Sequence, residues 1–393
     1  MKRFVQARVN GGSNYDSLTL PQQRLWILKV KLLPSLHHEL VLANCTNGFL
    51  KSLDLVVRSC IRSWLKLPKD SQIPFFYADT RDGGLGIENL EFSIPRRKSN
   101  RLMKLACASD PLVRAVVNTR RFRTDLRKWT KQRKFKELNM SNPELSRNAW
   151  KHYLYAGVDG KGLRDASLVP EVHGWLDAGT TMMPGAKFVA AVGVRAGTLP
   201  TRSRCSRGRP DAPKHCETCG PTFVENLSHV LQMCARTHGA RIKRHNHLLK
   251  ILADKLSRKG WTVQVEPHFI CEQPVGLRKP DLLVYKPDDQ AWIIDVTVVS
   301  DTYPDLNRPH RKKMAHYDEP EIKQAIQVLT GVDPTRSSFT LNWRGIYSPE
   351  SASDMRIVGL TNAELQFMAA ICVEQGAIIH RIHQTTTMNS WWA

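Results

Sequence analysis

Apolar residues recur at helical spacing in the first part of the chain and at strand-like spacing further on. Between residues 20 and 66 they form two groups, separated by Thr46-Asn47-Gly48, and this pattern predicts two helices. Residues 236 to 259 predict a basic amphipathic helix. Runs of β-branched and aromatic residues predict three strands, then a helix, a strand and a long helix, at 261–265, 282–285, 292–299, about 319–330, about 338–347 and near 362–384. This order predicts a compact α/β core in the second half of the chain.

Glycine and proline residues mark where these elements are interrupted. The cluster Asp82-Gly83-Gly84-Leu85-Gly86 permits a tight turn, which predicts a loop between helices. Residues 157 to 214 are rich in Gly, Pro and Arg, and they predict an exposed connector with a domain boundary. A chain of 393 residues is longer than a single hydrophobic core normally serves. We therefore expect several domains.

The charge of the chain favours a polyanionic partner. Lysine and arginine number 58 against 36 acidic residues, which gives a formal net charge of +22, and nucleic acid releases counterions on binding such a protein. A membrane surface fits less well, because no run of about eighteen apolar residues is present. The segment that begins Met1-Lys2-Arg3 also lacks the apolar stretch of a secretion signal. The nine cysteines do not have the spacing of a disulfide framework, so we expect an intracellular protein in a reducing compartment.

Cations are dense between Arg114 and Lys136, where Phe122, Trp129 and Phe135 are interleaved with them. This pattern is typical of a surface that binds phosphates, although a solvated helix face has the same composition. The net charge of the whole chain favours nucleic acid. The cations predicted to contact it are Arg120, Arg121, Arg123, Arg127, Lys128, Lys131 and Arg133, together with Arg241 and Arg244 of the basic amphipathic helix.

Three cysteines and a histidine lie at spacings that suit zinc. They are Cys216, Cys219, His229 and Cys234. The first two cysteines share one short turn, and about one turn of helix separates the histidine from the third cysteine, so both pairs can converge on one tetrahedral ion. Four protein ligands leave no open position for water, which predicts a structural zinc ion. The alternative is three unligated thiols and a solvent-exposed histidine, and His215 or His238 could compete as a ligand.

Two aspartates in the predicted strands suit a catalytic divalent cation. Asp281 begins one strand and Asp295 lies inside the next, so a hairpin can bring both carboxylates to one edge. Hard oxygen ligands suit Mg²⁺ or Mn²⁺, and these ions activate water to cleave a phosphodiester. A carboxylate among apolar residues is unfavourable unless it is paired or bound to metal, which favours Asp295. The alternatives are a turn residue after Pro280 and a cap at a strand edge.

A lysine could complete this predicted centre. Lys312 or Lys313, in the run from Arg311 to Tyr317, could neutralise the transition state or orient the attacking water. The residues themselves do not distinguish the two lysines. The same run is also typical of a phosphate-binding or nuclear-import patch.

Several segments resemble the restriction-like endonuclease of site-specific non-LTR retrotransposons and its surroundings. They are Pro280-Asp281, Asp295-Val296-Thr297, the later lysine, the cysteine–histidine segment with its flanks Leu199-Pro200-Thr201-Arg202 and Cys234 to Arg241, and Phe75-Phe76-Tyr77-Ala78 with Gly83 to Ile87. The last of these is similar to the region just after the reverse transcriptase palm. In the general restriction-enzyme pattern a lysine lies two residues after the second acid. Here that position is Thr297, so Lys312 or Lys313 would substitute, as the displaced lysine of the family does.

The resemblance implies a multidomain protein. Its predicted parts are an α-helical thumb-like region at 1–110, a basic helical linker region at 111–198, a small CCHC zinc knuckle at 199–240, and an α/β restriction-endonuclease-like domain of the PD-(D/E)xK type at 241–393. In that family the endonuclease nicks target duplex DNA, often a ribosomal RNA gene, and the 3′ end primes reverse transcription of the element's RNA in the nucleus.

The resemblance suggests either a carboxyl-terminal fragment of such an element's protein or a degenerate copy, and the residues do not distinguish the two. Structural Zn²⁺ and catalytic Mg²⁺ or Mn²⁺ would be the cofactors, with target DNA and element RNA as partners. No aromatic-x-Asp-Asp strand is present, so we do not expect DNA synthesis by this chain. The rival is a non-catalytic, zinc-containing module that binds RNA or DNA. Neither the target sequence nor the oligomeric state follows from the residues.

Overall fold

The structure, a computed structural model, describes residues 20 to 389, with side chains described to residue 386. The segment Met1-Lys2-Arg3, on which the expectation about a secretion signal rests, lies outside the described residues. Within them, no helix has the length and apolar character needed to span a membrane. The chain divides into two compact units: unit 1 comprises 20–80, 84–157 and 179–181, and unit 2 comprises 81–83, 158–178 and 182–389. The four-part division made from the sequence stays a prediction.

Unit 1 is mostly helical. Its helices are α1 (Pro21–Ile27), α2 (Leu33–Leu42), α3 (Asn47–Leu65), α4 (Ile73–Tyr77), α5 (Leu90–Ala106), α6 (Pro111–Val117), α7 (Arg120–Thr130) and α8 (Pro143–Ala156), with a π-helical turn at Leu28–Leu32. A short hairpin of β1 (Lys134–Phe135) and β2 (Leu138–Asn139) precedes α8. The predicted break between two helical segments is confirmed. Thr46 caps the start of α3, because its hydroxyl accepts a hydrogen bond from Phe49 N at 3.2 Å.

The core of unit 1 forms along one stripe of α3. The residues of this stripe, each at most 1% exposed, are Leu50, Leu53, Val57, Ile61 and Leu65. Beside it, the buried Asp54 accepts hydrogen bonds from Leu90 N and Glu91 N at 2.9 Å each. These amides belong to the first turn of α5 and have no partner within that helix. The carboxylate therefore fixes the start of α5 against α3.

Unit 2 combines helices with small sheets. Its helices are α9 (Gly185–Ala196), α10 (Arg202–Cys205), α11 (Leu227–Gln232), α12 (His238–Ser257), α13 (Asn307–His316), α14 (Pro320–Thr330), α15 (Pro349–Ile357) and α16 (Asn362–Asn389). Its strands are β3 (His215–Cys216), β4 (Gly220–Val224), β5 (Thr262–Val265), β6 (Phe269–Ile270), β7 (Leu277–Arg278), β8 (Leu282–Lys286), β9 (Gln290–Val299) and β10 (Pro334–Asn342). Short 3-10 helices lie at Lys161–Leu163, Ala166–Leu168, Pro170–Leu176 and Ala235–Thr237. The predicted mixture of helices and strands is confirmed.

The four-stranded sheet of unit 2 has the strand order β10-β9-β8-β5. β5 and β9 run antiparallel to β8, whereas β10 runs parallel to β9. Successive side chains of a strand point to opposite faces. On one face Leu282 and Ile294 join a core with α12, α15 and α16, and on the other Leu283 and Ile293 join a smaller core with α14. Odd-numbered positions of β8 and β9 therefore face α14.

Three observations differ from the predicted elements of unit 2. The apolar pattern does not predict α13, because its sequence is mostly polar and contains Pro309. The exposed connector predicted over 157–214 is wrong at α9, where Phe188 and Val192 are fully buried. The strand predicted at about 338–347 lies at Pro334–Asn342 instead, because the chain turns back at Gly345, whose φ of 70° favours glycine.

Candidate active site and metal centre

Asp281 and Asp295 lie beside each other at the start of β8, on the two central strands of the four-stranded sheet. In the antiparallel register, Leu282 pairs with Ile294, so one further step places the two aspartates opposite each other on the face toward α14. Asp281 Oδ2 accepts a hydrogen bond from Val296 N at 2.6 Å. The hairpin expected from the sequence therefore brings both carboxylates to one place.

Lys313 is the lysine that reaches this pair. Its Nζ lies 2.9 Å from Asp295 Oδ2, and Thr297 Oγ1 donates to the same oxygen at 3.0 Å. Lys312 is exposed on α13 and has no described contact with either aspartate. Of the two lysines that the sequence leaves open, Lys313 is thus the one with a described contact to Asp295.

Two further side chains contact the aspartates and were missed by the sequence reasoning. His245 of α12 has Nε2 at 3.3 Å from Asp281 Oδ1, and this hydrogen bond raises the pKa of the imidazole. Tyr317 donates its hydroxyl to Asp295 Oδ1 at 2.8 Å, and burial raises the pKa of the phenol, which stays protonated as a donor. His245 lies on a helix that the sequence predicts. Its contact with Asp281 joins two distant segments of the chain, so the sequence pattern does not reveal it.

Asp295 is buried but has three polar partners. The side chain is 5% exposed, and it receives donors from Lys313, Thr297 and Tyr317. Buried polar groups normally have such partners. The Lys313 ammonium beside Asp295 can also stabilise negative charge that develops on a bound phosphate.

The donor set of the two aspartates fits Mg²⁺ or Mn²⁺, which take hard oxygen ligands. Groups of three or more candidate metal ligands occur, in the part of the chain that the structure describes, at the cysteine site and not at Asp281 and Asp295. Mg²⁺ commonly binds through one or two carboxylates and completes its shell with water and substrate phosphate. The pair can supply that share of the ligands.

The cysteine–histidine cluster predicted from the sequence comes together in unit 2. Its ligand atoms, on Cys216, Cys219, His229 and Cys234, all lie within 4.8 Å of one another. Cys216 Sγ and Cys219 Sγ lie 3.8 and 3.9 Å from Cys234 Sγ. A tetrahedral zinc ion with Zn–S distances of about 2.3 Å holds its sulfur ligands about 3.8 Å apart. The sulfur positions therefore match zinc, and they are far too distant for a disulfide.

The local fold explains how these four residues meet. Cys216 ends β3, Cys219 lies in the turn before β4, and Cys234 follows α11. The side chain of Asn226 caps α11 by accepting a hydrogen bond from His229 N at 2.8 Å, which fixes the histidine in the first turn. Neither His215 nor His238 belongs to the cluster.

His229 provides an independent test of the metal fit. Its side chain is 1% exposed, and among the described residues neither ring nitrogen has a hydrogen-bond partner. Burial lowers its pKa, so the ring is neutral and can ligate, while burial and the neighbouring thiols raise the pKa of Cys234 to about 12. A buried neutral imidazole beside three thiols is poorly satisfied without a cation. The residues fit a zinc ion that binds thiolates and imidazole.

Six of the nine cations predicted to bind nucleic acid are exposed, on α7 or directly after it. Arg120, Arg121, Arg123, Arg127 and Lys128 are exposed on α7, and Lys131 is exposed just after it. Phe122 and Trp129 of the same helix are buried, so the aromatic residues anchor the helix and the cations face solvent. Arg133 is half-buried and donates to Asn47 Oδ1 at 3.0 Å.

A cavity of about 430 Å³ adjoins this cationic helix face. Its lining includes the cations Lys98, Arg101, Arg121 and Lys128, with Asp125 as the acidic residue. None of these four cations forms an ion pair within the described residues. Four cations against one acidic residue give the cavity a net positive charge, which favours an anionic ligand.

The two predicted cations of α12 are not surface groups. Arg241 donates to the carbonyl oxygens of Gln232 and, at 3.4 Å, Cys234. Arg244 is 3% exposed and donates to Gln232 Oε1 at 3.3 Å. Both guanidinium groups therefore support the segment that carries the cysteine cluster. The sequence pattern did not reveal this, because it does not distinguish the buried face of a basic helix from the exposed one.

Comparisons with known proteins identify the family. No family model matches the chain. The Pol polyprotein of the type-2 retrotransposable element R2DM of Drosophila melanogaster is 31% identical over 363 residues, covering 91% of this chain and 33% of the relative. The Pol polyprotein of the type-1 element R2 of Nasonia vitripennis is 30% identical, with coverage of 92% and 34%. This chain thus spans about a third of the length of these two relatives.

A shorter relative is covered over most of its length. The type-1 R2 Pol polyprotein of Popillia japonica is 30% identical over 365 residues, which cover 92% of this chain and 79% of the relative. The resemblance stated from the sequence motifs is thereby confirmed. The chain belongs to the family of Pol polyproteins of R2 non-LTR retrotransposable elements.

Proposed function

We propose that this chain is a divalent-metal-dependent DNA endonuclease with a restriction-like fold. The observation that carries the proposal is the convergence of Asp281, Asp295 and Lys313 from two strands and a helix. Two neighbouring carboxylates, one of them paired with an ammonium, are suited to phosphodiester hydrolysis. The mixed four-stranded sheet with helices against both faces supports the fold proposal.

Each side chain of the centre has its own role in the proposed hydrolysis. Asp281 and Asp295 would hold the cation, which would supply Lewis acidity and an activated water. Lys313 would neutralise negative charge on the bound phosphate. Tyr317 and Thr297 orient Asp295, and His245 orients Asp281. The nick leaves a 3′ end that can prime reverse transcription.

The rest of the chain places the nucleic acid in this proposal. The zinc knuckle holds the segment before α12, and the exposed cations of α7 bind the backbone of target DNA or element RNA. Contacts with phosphates position the duplex but carry no sequence information. The site of action is the nucleus, where the target gene lies.

A specific observation favours the rival, a non-catalytic module that binds nucleic acid. Each aspartate already has a cationic or polar partner, His245 for Asp281 and Lys313 for Asp295. Ion pairs of this kind can serve structure alone. The rival predicts that zinc is the only metal that binds.

Divalent-metal binding separates the two functions. Zinc-loaded chain is titrated with Mn²⁺, followed by electron paramagnetic resonance, and compared with Asp281→Asn and Asp295→Asn. The nuclease proposal predicts a site that is lost or weakened at least 10-fold in both variants and is unchanged in Asp289→Asn, an exposed aspartate of a turn. Absence of specific Mn²⁺ binding in all four proteins would support the rival, and equal Mn²⁺ binding by all four would mean that the aspartates are not the ligands.

A further inference from the structure

One face of α13 is fixed to the rest of unit 2 at four positions. Asn307, His310, Lys313 and Tyr317 follow one another at intervals of three or four residues, so they share that face. Asn307 Oδ1 accepts a hydrogen bond from Ser348 Oγ at 2.8 Å. Lys313 and Tyr317 contact Asp295, as described above. The remaining position, His310, has no role in the proposed chemistry.

His310 is the most buried of the four. Its side chain is 1% exposed, with Nδ1 at 2.9 Å from Ser338 Oγ and 3.2 Å from the Ser338 carbonyl oxygen. Its other nitrogen, Nε2, lies 3.5 Å from Asp354 Oδ2. The imidazole thus joins α13 to both β10 and α15.

The partner of His310 lies beside the second acid of the centre. In the parallel register of β9 and β10, Ser338 pairs with Asp295. One turn of α13 therefore rests on β10 through His310, and the next reaches β9 through Lys313. The two contacts are made to neighbouring residues across one sheet.

We propose that His310 is a positioning residue for Lys313. The proposal rests on the nuclease function proposed above. In the general restriction-enzyme pattern the lysine belongs to the same strand as the second acid, so the strand itself fixes their separation. Here the lysine belongs to a helix, so its side chain, 39% exposed, reaches Asp295 only while α13 keeps its position and rotation on the sheet. Asn307 fixes the first turn of α13, and His310 fixes the turn directly before Lys313.

Burial excludes a different role for the same residues. Ser338, His310 and Asp354 lie in the order of a hydrolytic Ser-His-Asp triad. Ser338 is fully buried and also bonds Thr340 Oγ1 at 2.6 Å, so no substrate reaches its hydroxyl. The network holds elements together rather than attacking a substrate.

A double-mutant cycle tests the positioning role. Single-turnover nicking of supercoiled plasmid with Mg²⁺ is measured for the full chain, His310→Ala, Lys313→Ala and the double variant. His310→Ala should lower the maximal rate about 10- to 100-fold, because small misplacements of catalytic groups have effects of that size. The DNA concentration that gives half-maximal rate should change less than twofold. The double variant should be no slower than Lys313→Ala, since His310 acts through that lysine.

Two further variants keep the test independent of folding. His310→Asn places an amide near the Nδ1 position and should recover part of the rate, because it can still bond Ser338. His173→Ala removes another buried histidine of unit 2, whose partners Ala166 and Arg195 lie outside α13 and the four-stranded sheet, and should nick within twofold of the unaltered chain. Hydrogen exchange of the α13 amides should accelerate in His310→Ala and not in His173→Ala.

The possible failures are distinguishable. If the unaltered chain does not nick, the proposed nuclease function fails, and the positioning role falls with it. If the chain nicks but the effects of His310→Ala and Lys313→Ala multiply in the double variant, the positioning role is wrong and the nuclease function stands. Equal loss of rate in His310→Ala and His173→Ala would likewise overturn it, because general destabilisation would then explain the effect.

Discussion

Lys313 Nζ lies 2.9 Å from Asp295 Oδ2, although the lysine belongs to a helix and the aspartate to a strand. Thr297 occupies the position two residues after Asp295 and donates its hydroxyl to the same carboxylate oxygen. A short hydroxyl at that position leaves space for an ammonium that arrives from α13. The pair thus combines an aspartate of the central strand β9 with a lysine of the helix α13.

The first prediction separates the two adjacent lysines of α13. Lys313→Ala should lower the nicking rate about 100- to 1000-fold, the effect of removing one group that stabilises transition-state charge. Lys312→Ala is the matched control and should stay within about threefold, since its side chain is exposed and does not reach the aspartates. Gel analysis of plasmid nicking measures both. A larger loss in Lys312→Ala would mean that the helix presents its other face to the phosphate.

Zinc content tests the cysteine cluster. The purified chain should contain about one zinc ion per molecule by elemental mass spectrometry, and Cys219→Ser or His229→Asn should lose most of it, because each removes one of four ligands. The loss should also lower the free energy of unfolding of unit 2 by several kcal/mol. Cys205→Ser and His215→Asn are controls outside the cluster and should keep the zinc. Retained zinc in His229→Asn would identify another histidine as the ligand.

Salt dependence of DNA binding tests the exposed cations of α7. Substitution of its four arginines by glutamine should reduce the slope of log affinity against log salt concentration by about three to four, since each phosphate contact contributes nearly one. The four are Arg120, Arg121, Arg123 and Arg127. Fluorescence anisotropy with a labelled duplex at several salt concentrations measures the slope.

The control for this experiment removes cations that already have partners. Lys187 pairs with Glu374 at 2.6 Å and Lys323 with Asp333 at 2.8 Å. Glutamine at both positions should leave the slope unchanged. A slope that is the same in the arginine variant and this control would exclude α7 from the nucleic-acid surface.

Acid stability tests the buried His173. Burial, with the nearby Arg195, lowers the pKa of this histidine to about 3, so the folded chain holds it neutral while the unfolded chain protonates it near pH 6.5. Its contribution to stability is therefore present above pH 6.5 and is lost as the pH falls toward 3. Between pH 7 and 4 the free energy of unfolding should fall by about 3 kcal/mol more in the unaltered chain than in His173→Asn. Parallel pH dependences in urea unfolding would contradict this account.

The sequence predicted the parts of the site that depend on local patterns. Asp281 and Asp295 lie before and after a turn between two apolar runs, and strand alternation with a regular hairpin register places both on one face. The cysteine and histidine spacing likewise encodes a local turn and a short helix. These features could be recognised because neighbouring residues along the chain determine them.

The remaining features depend on contacts between distant elements. The polar sequence of α13 does not indicate a helix. His310 contacts β10 and Tyr317 contacts Asp295, and neither contact can be predicted from neighbouring residues in the sequence. His245 and the buried Arg244 lie on one basic helix, and its charge pattern does not show which residues turn inward. The fold of unit 2 decides these positions, not the local sequence.

Nicking of supercoiled plasmid with Mg²⁺ or Mn²⁺, by the full chain and by Asp295→Asn, tests whether the chain is a nuclease with Asp295 in its centre. Asparagine keeps the shape of the side chain but is a poorer ligand for a cation. We expect a nicked circle with the unaltered chain, a rate at least about 1000-fold lower in the variant, and equal DNA affinity for both. Nicking at the same rate in Asp295→Asn would contradict this expectation, and absence of nicking by the unaltered chain would favour a module that only binds nucleic acid.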